Sequence, residues 1–133
     1  MSEYVVDASA AMSALGLKDA VAVATRKRIT DSTCHAPHLL DAEVGQALRR
    51  GERAGRISTD TARTALAALP KIIEYRYPHT DRLATLAWDL RHTITFYDGL
   101  YVALATVLDV PLLTEDVKLS KAPGLSCAVE VVC

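Results

Sequence analysis

Short β-type runs that halt at or near an acidic residue, separated by longer helical patterns, constrain this chain more than any other feature. Glu3-Tyr4-Val5-Val6 is one such run and stops at Asp7. Pro111-Leu112-Leu113-Thr114 is another, with Asp116 just beyond it. Lys71 to Tyr77, closed by Pro78, and Cys127 to Val132 supply two more. Between the runs lie helical segments. Ala8 to Leu17 is rich in alanine, and Asp19 to Arg28 ends in Arg26-Lys27-Arg28, which suits the negative end of a helix dipole. Pro37 opens the segment His38 to Arg53, where Leu40, Val44, Ala47 and Leu48 recur at helical spacing opposite Gln46, Arg49 and Arg53. Gly55 stops that helix, and Ser58-Thr59-Asp60 caps the next, which runs to Leu69 before Pro70. Leu83, Leu86, Ala87 and Leu90 mark a face between Thr80 and His92, and Leu100, Leu104 and Leu108 mark one in the helix that starts at Tyr97. Strands that alternate with helices predict a parallel sheet covered on both faces, an α/β three-layer domain.

Composition narrows the functions open to such a domain. At 133 residues the expectation is a single domain, 1–133, and 50% apolar with 23% charged residues is a globular balance. Fifteen Lys and Arg against sixteen Asp and Glu give −1, so any nucleic-acid contact has to come from local patches. No apolar run approaches the roughly 18 residues a membrane span needs. The acidic start Met1-Ser2-Glu3-Tyr4 differs from a basic export signal, so the expected location is the cytoplasm. Cys34, Cys127 and Cys133 contain no C-x-x-C pair, which argues against a zinc site or disulfide framework. Cys34-His35-Ala36-Pro37-His38 lacks a distant Cys/His pair to complete a tetrahedron, so we read it as buried thiol and surface histidine.

The acids carry the chemical argument. Ligands of open parallel sheets bind outside the carboxyl ends of the strands, where Asp7 and Asp116 both fall. Asp98 lies in the first turn of its helix, a position whose backbone favours anions. Glu43 falls about 60° from Leu40 and about 40° from Ala47 on a helical wheel, at the border of the buried stripe. Taken singly, each has a simpler explanation: Asp98 as a helix cap, Asp7 and Asp116 as loop acids, Glu43 as a surface bridge to Arg50. Together they suggest one site. Two carboxylates 4 Å apart repel by about 4 kcal/mol at an effective dielectric near 20, so four in one place need cations or protons. Mg²⁺ or Mn²⁺ suits all-oxygen ligation, and can activate water and clamp a phosphodiester. Ser9 and Thr114 stand beside the acids and can hold a carboxylate in place. No P-loop competes for the active centre.

Val5-Val6-Asp7-Ala8-Ser9, Ala36-Pro37-His38-Leu39-Leu40-Asp41-Ala42-Glu43-Val44, Tyr97-Asp98-Gly99-Leu100-Tyr101-Val102-Ala103-Leu104-Ala105 and Pro111-Leu112-Leu113-Thr114-Glu115-Asp116 resemble the four signature segments of PIN-domain ribonucleases, and in particular the VapC toxins. Each is weak alone; four in this order across the chain are a strong signal. The resemblance implies an α/β/α fold with a central parallel sheet and a divalent-metal site. It places the family's acidic quartet on Asp7, Glu43, Asp98 and Asp116, and its hydroxyl residues on Ser9 and Thr114. It further implies an RNA substrate, a VapB-type antitoxin as partner and a homodimer. Glu115 is an extra carboxylate inside the T-x-D segment, and strand alternation would turn it away from Asp116.

Arg49, Arg50 and Arg53, near Arg56, offer an RNA backbone track or simply a solvated face. Tyr97, Tyr101 and Trp88 could stack on unpaired bases or pack in the core. Two other readings stay open beside the nuclease toxin: a catalytically silent PIN-like binding module, and a non-toxin PIN nuclease of RNA processing. A receiver-type phosphorylation switch would need an acidic pair after the first strand and an Asp after a central one. Here Asp7 is followed by Ala8, and no central strand is expected to end in Asp.

Overall fold

The computed structural model describes residues 2–16 and 20–132. Five strands form one all-parallel sheet: β1 (Glu3–Val6), β2 (Thr33–Pro37), β3 (Tyr75–Tyr77), β4 (Leu112–Thr114) and β5 (Val129–Val131), in the order β3-β2-β1-β4-β5. The chain therefore walks outward from β1 in one direction and then returns to start again on its other side. Seven helices connect the strands among the described residues: α1 (Ala8–Leu15), α2 (Ala20–Thr30), α3 (Leu39–Arg53), α4 (Thr59–Ile72), α5 (Arg82–Asp89), α6 (Phe96–Leu108) and α7 (Val117–Ser120). α1 packs against α2, α3 and α4, while α6 packs against α5 and lies on β1, β2 and β4. The three-layer α/β architecture matches the expectation. No helix among the described residues is long and apolar enough to cross a membrane.

Two helices show how sequence pattern sets position. In α3 only Leu40, Val44, Leu48 and Gly51 are buried, a single stripe at helical spacing, so the opposite face with Arg49, Arg50 and Arg53 stays in water. In α6 every residue from Gly99 to Ala105 is buried. A helix apolar all round belongs inside, and α6 is held between the sheet and α5. Gly99 permits this closeness, because a Cβ there would lie 3.1 Å from the Ala87 carbonyl oxygen.

Several expectations change. Thr33–Pro37 is a strand that the sequence pattern did not reveal. His35 within it is buried, not at the surface: its Nε2 lies 2.9 Å from Glu3 Oε1 and its Nδ1 2.7 Å from the Tyr77 hydroxyl. A pair of polar partners on neighbouring strands satisfies the imidazole, which is why a histidine can occupy an interior strand. Cys34 is buried as expected, and burial pushes its thiol up to about 12. Pro70 lies inside the last turn of α4 instead of ending it, with Ile73 N–H still bonded to the Leu69 carbonyl at 3.1 Å. The strand expected from Lys71 is confined to Tyr75–Tyr77, and the helix expected from Thr80 to His92 to Arg82–Asp89. β1 is itself central and is followed by Asp7, so a central strand does lead to an Asp; the acidic pair a receiver needs is still missing. Leu17, Asp19 and Cys133 lie outside the described residues.

Two of the helical glycines, Gly45 and Gly99, should respond in opposite directions. Gly45 has nothing within 4 Å of a built Cβ, so Gly45→Ala should stabilise by about 0.5–1 kcal/mol through backbone entropy. Gly99→Val should destabilise by about 2 kcal/mol, since the branched side chain meets the backbone of Ala87. Denaturant unfolding measures both; equal effects would contradict this packing.

Candidate active site

The site begins where β1 ends. Register pairs Val6 with Leu113, and Asp7 N–H bonds the Leu113 carbonyl at 3.2 Å, which sets Asp7 beside Thr114 at the end of β4. Asp7 is also the N-cap of α1, where its Oδ1 accepts from Ala10 N–H at 3.0 Å. The same oxygen accepts from the Ser9 hydroxyl at 2.6 Å, and Oδ2 accepts from Thr114 Oγ1. Both carboxylate oxygens of this buried acid are thus engaged. The two hydroxyls reach further: Ser9 Oγ accepts Glu115 N–H at 2.9 Å, and Thr114 Oγ1 accepts Asp116 N–H at 3.0 Å. Ser9 and Thr114 tie the end of β1 to the turn that carries Asp116.

The other acids arrive on three further helices. Asp116 caps α7, its Oδ1 accepting from Lys118 N–H at 2.9 Å and Leu119 N–H at 3.2 Å, and it is exposed. Asp98 lies in the first turn of α6, whose N-cap Thr95 accepts the Asp98 N–H at 3.1 Å. Glu43, half-buried on α3, accepts from the Tyr101 hydroxyl at 2.6 Å. The bridge from Glu43 to Arg50 envisaged from sequence is not formed; the partner is the α6 phenol.

Electrostatics shows that these four carboxylates share one field. Burial pushes the Asp7 carboxyl above its ordinary value, against the hydrogen bonds from Ser9, Thr114 and Ala10, and the charge on Asp116 adds to the rise. Burial likewise raises Glu43, opposed by the Tyr101 bond and reinforced by Asp98 and Asp7. Asp98 is raised by burial, held back by Thr95, and raised again by Asp7 and Asp116. Tyr101 is pushed up by burial and by its bond to Glu43, so it stays a hydrogen-bond donor.

Among the described residues, no three acids, histidines or cysteines stand close enough to enclose an ion by themselves. The donor set is all carboxylate and hydroxyl oxygen, which fits a hard divalent cation that binds one or two carboxylates and keeps several waters. It does not fit a closed zinc cage.

The basic residues separate. Arg50 lines a cavity of about 470 Å³ together with Glu43, whereas Arg49 and Arg53 lie on the exposed face of α3, without an ion pair among the described residues. Glu115 is exposed and contributes its backbone N–H, not a bonded carboxylate. Asp41 is taken up by Arg76 at 2.6 Å, joining α3 to β3. Sequence reasoning missed the role of Tyr101 in holding Glu43; the signal was its position three residues after Asp98, one turn along the same face. Of the other aromatics, Tyr97 and Trp88 are exposed and Tyr101 is core.

Comparison with known proteins agrees with this fold. The PIN domain family matches residues 4–125. Ribonuclease VapC1 of Mycobacterium tuberculosis is 56% identical over 132 residues, covering 99% of each chain. The crystal structure of PAE2754 from Pyrobaculum aerophilum superposes with a TM-score of 0.71 at 25% identity, over 96% of this chain and 83% of that one. VapBC2 from Rickettsia felis, solved bound to a DNA fragment from its promoter, shares the fold with a TM-score of 0.72 at 12% identity, over 96% and 97% of the two chains. By family match and by a full-length relative of high identity, the chain belongs to the PIN-domain family, in its VapC ribonuclease group.

Proposed function

We propose that this protein is the toxin of a VapBC-type pair, an endoribonuclease that hydrolyses phosphodiester bonds in single-stranded or structured RNA with the help of Mg²⁺ or Mn²⁺. The observation that carries the reading is the buried Asp7 carboxylate at the end of the central strand, with Glu43, Asp98 and Asp116 all within its electrostatic reach. The relatives are named ribonucleases, and PIN-domain ribonucleases generally use divalent metals. Asp7, Asp98, Asp116 and Glu43 would hold the ion, one or two of them directly and the rest through its waters, and when bound it would supply Lewis-acid neutralisation of the scissile phosphate. Ser9 and Thr114 fix the orientation of Asp7, and Tyr101 fixes that of Glu43. The α6 N-terminus, which carries Asp98 in its first turn, adds a partial positive charge beside the acids. Residues 1–133 act as one domain, in the cytoplasm and as a homodimer. The partner is a VapB-type antitoxin, and a cationic side chain of that partner entering the acidic cluster would form charge-assisted hydrogen bonds in place of the metal.

Asp7→Asn, Glu43→Gln, Asp98→Asn and Asp116→Asn should each lower metal-dependent cleavage of single-stranded RNA about a hundredfold or more, the usual loss when one preorganised charge is removed. Asp41→Asn and Glu115→Gln should keep most activity, since the Asp41 side chain pairs with Arg76 and Glu115 contributes its backbone N–H to Ser9, not its carboxylate. If the four variants cleave like wild type, or the two controls fail equally, the site is wrong.

A second prediction concerns pH. Asp7, Glu43 and Asp98 have folded-state values raised above the ordinary 3.8, 4.5 and 3.8, so between the two values the folded protein binds more protons than the unfolded chain. Their stabilisation is fully present below the ordinary values and is lost as pH rises through the folded ones. In chelator, wild type should therefore lose stability relative to Glu43→Gln as pH climbs from about 4 to about 7. Saturating Mn²⁺ at neutral pH should reverse the order, because wild type gains more from ligand linkage. Thermal unfolding of both proteins with and without metal measures this; a gap between them that does not change with pH or metal would contradict it.

A further inference from the structure

The cavity beside Glu43 has a chemical character of its own. Leu39, Ala42, Glu43, Gln46 and Arg50 line it from α3, and Tyr97 lines it from the first turn of α6. The α3 members follow helical spacing, so one face of that helix forms a continuous wall. At about 470 Å³ the space lies within the roughly 300–1,000 Å³ of small-molecule sites. Glu43 belongs both to this wall and to the acidic cluster, so the cavity is contiguous with the reaction site. Tyr97 is 60% exposed, an aromatic ring left in water where its neighbours Gly99 to Ala105 are buried. Gln46 offers an amide donor and acceptor, Arg50 a cation, and Leu39 and Ala42 apolar surface.

We infer that this cavity is a nucleobase subsite, which takes one unpaired base next to the phosphate held at the acidic cluster. The inference rests on the RNA-cleaving reading above and specifies how that substrate is held. An aromatic face, an amide and an apolar floor are the groups that bind a splayed-out base: the ring stacks, and the amide meets a polar edge. Arg50, one turn beyond Gln46, takes the adjoining backbone phosphate. A base still paired inside a duplex cannot enter, so the subsite selects single-stranded loops. Tyr97 and Gln46 are then specificity residues, while the acids remain the reacting centre.

The test separates binding from cleavage. Affinity for a fluorescently labelled random-sequence RNA 12-mer, single-stranded and as the matching duplex, is measured in EDTA by anisotropy. Tyr97→Ala should weaken single-strand binding about tenfold and leave duplex binding unchanged, and Tyr97→Phe should bind as wild type does. Gln46→Leu should level the relative affinities for A12, C12 and U12. Arg50→Gln should weaken all RNAs alike and reduce the slope of log affinity against log salt by about 0.7. With Mn²⁺ present, Tyr97→Ala should raise KM more than it lowers kcat. The subsite is refuted if Tyr97→Ala binds single strands as wild type does, or loses single strand and duplex equally. Unchanged RNA binding with weakened antitoxin capture would assign the cavity to the protein partner and also overturn it. If the binding pattern holds but no metal-dependent cleavage occurs, the nuclease reading fails and the base subsite stands.

Discussion

A buried carboxylate set among charges of its own sign is the constraint around which this structure is arranged. Asp7 sits at the end of the central strand, among neighbours of the same sign, in a place where desolvation and repulsion both favour its neutral form. The fold answers with oriented donors: a hydroxyl from Ser9, a hydroxyl from Thr114 and the Ala10 N–H. Three of the four acids also stand at helix N-termini, Asp7 on α1, Asp98 on α6 and Asp116 on α7. Unpaired N–H groups and the positive end of each helix dipole make those the places where a chain can best support anions. Glu43 has no such helix end and relies on the Tyr101 phenol.

Topology explains why the acids meet at all. The strand order reverses beside β1, so the connections after β1 and after β4 leave the sheet in opposite directions. The gap between them, at the carboxyl ends of the strands, is the crevice where open α/β sheets bind ligands. Asp7 follows the first of these strands and Asp116 the second. α6 crosses beneath both, and its burial on all sides holds Asp98 and Tyr101 in fixed positions. The close approach at Gly99 is thus part of the site's rigidity, one residue away from Asp98.

Much of this was legible in the sequence because it is periodic or positional. Strand-then-acid at Asp7 and near Asp116, the stripe of α3 and the first turn of α6 all survive in the structure. What stayed hidden depends on contacts between distant segments. β2 was obscured because Cys34 and His35 look like chemistry, yet His35 owes its interior place to Glu3 and Tyr77, which are 32 and 42 residues away. Glu43 was placed at the edge of a buried stripe, but no pattern within α3 could show that its partner is Tyr101, 58 residues on, and not Arg50. The boundary error near Pro70 has another origin: a proline in a last turn forfeits only one hydrogen bond, so packing can extend the helix past it.

The four carboxylates are proposed as the ligand set of one divalent cation. Anomalous scattering from a crystal equilibrated with Mn²⁺ tests this assignment most directly. The expected result is a peak within ligand distance, about 2.0–2.6 Å, of Asp7 or of a water it holds, flanked by Asp98, Asp116 and Glu43. A well-ordered crystal with the Mn²⁺ peak elsewhere, and no peak at this cluster, would contradict it.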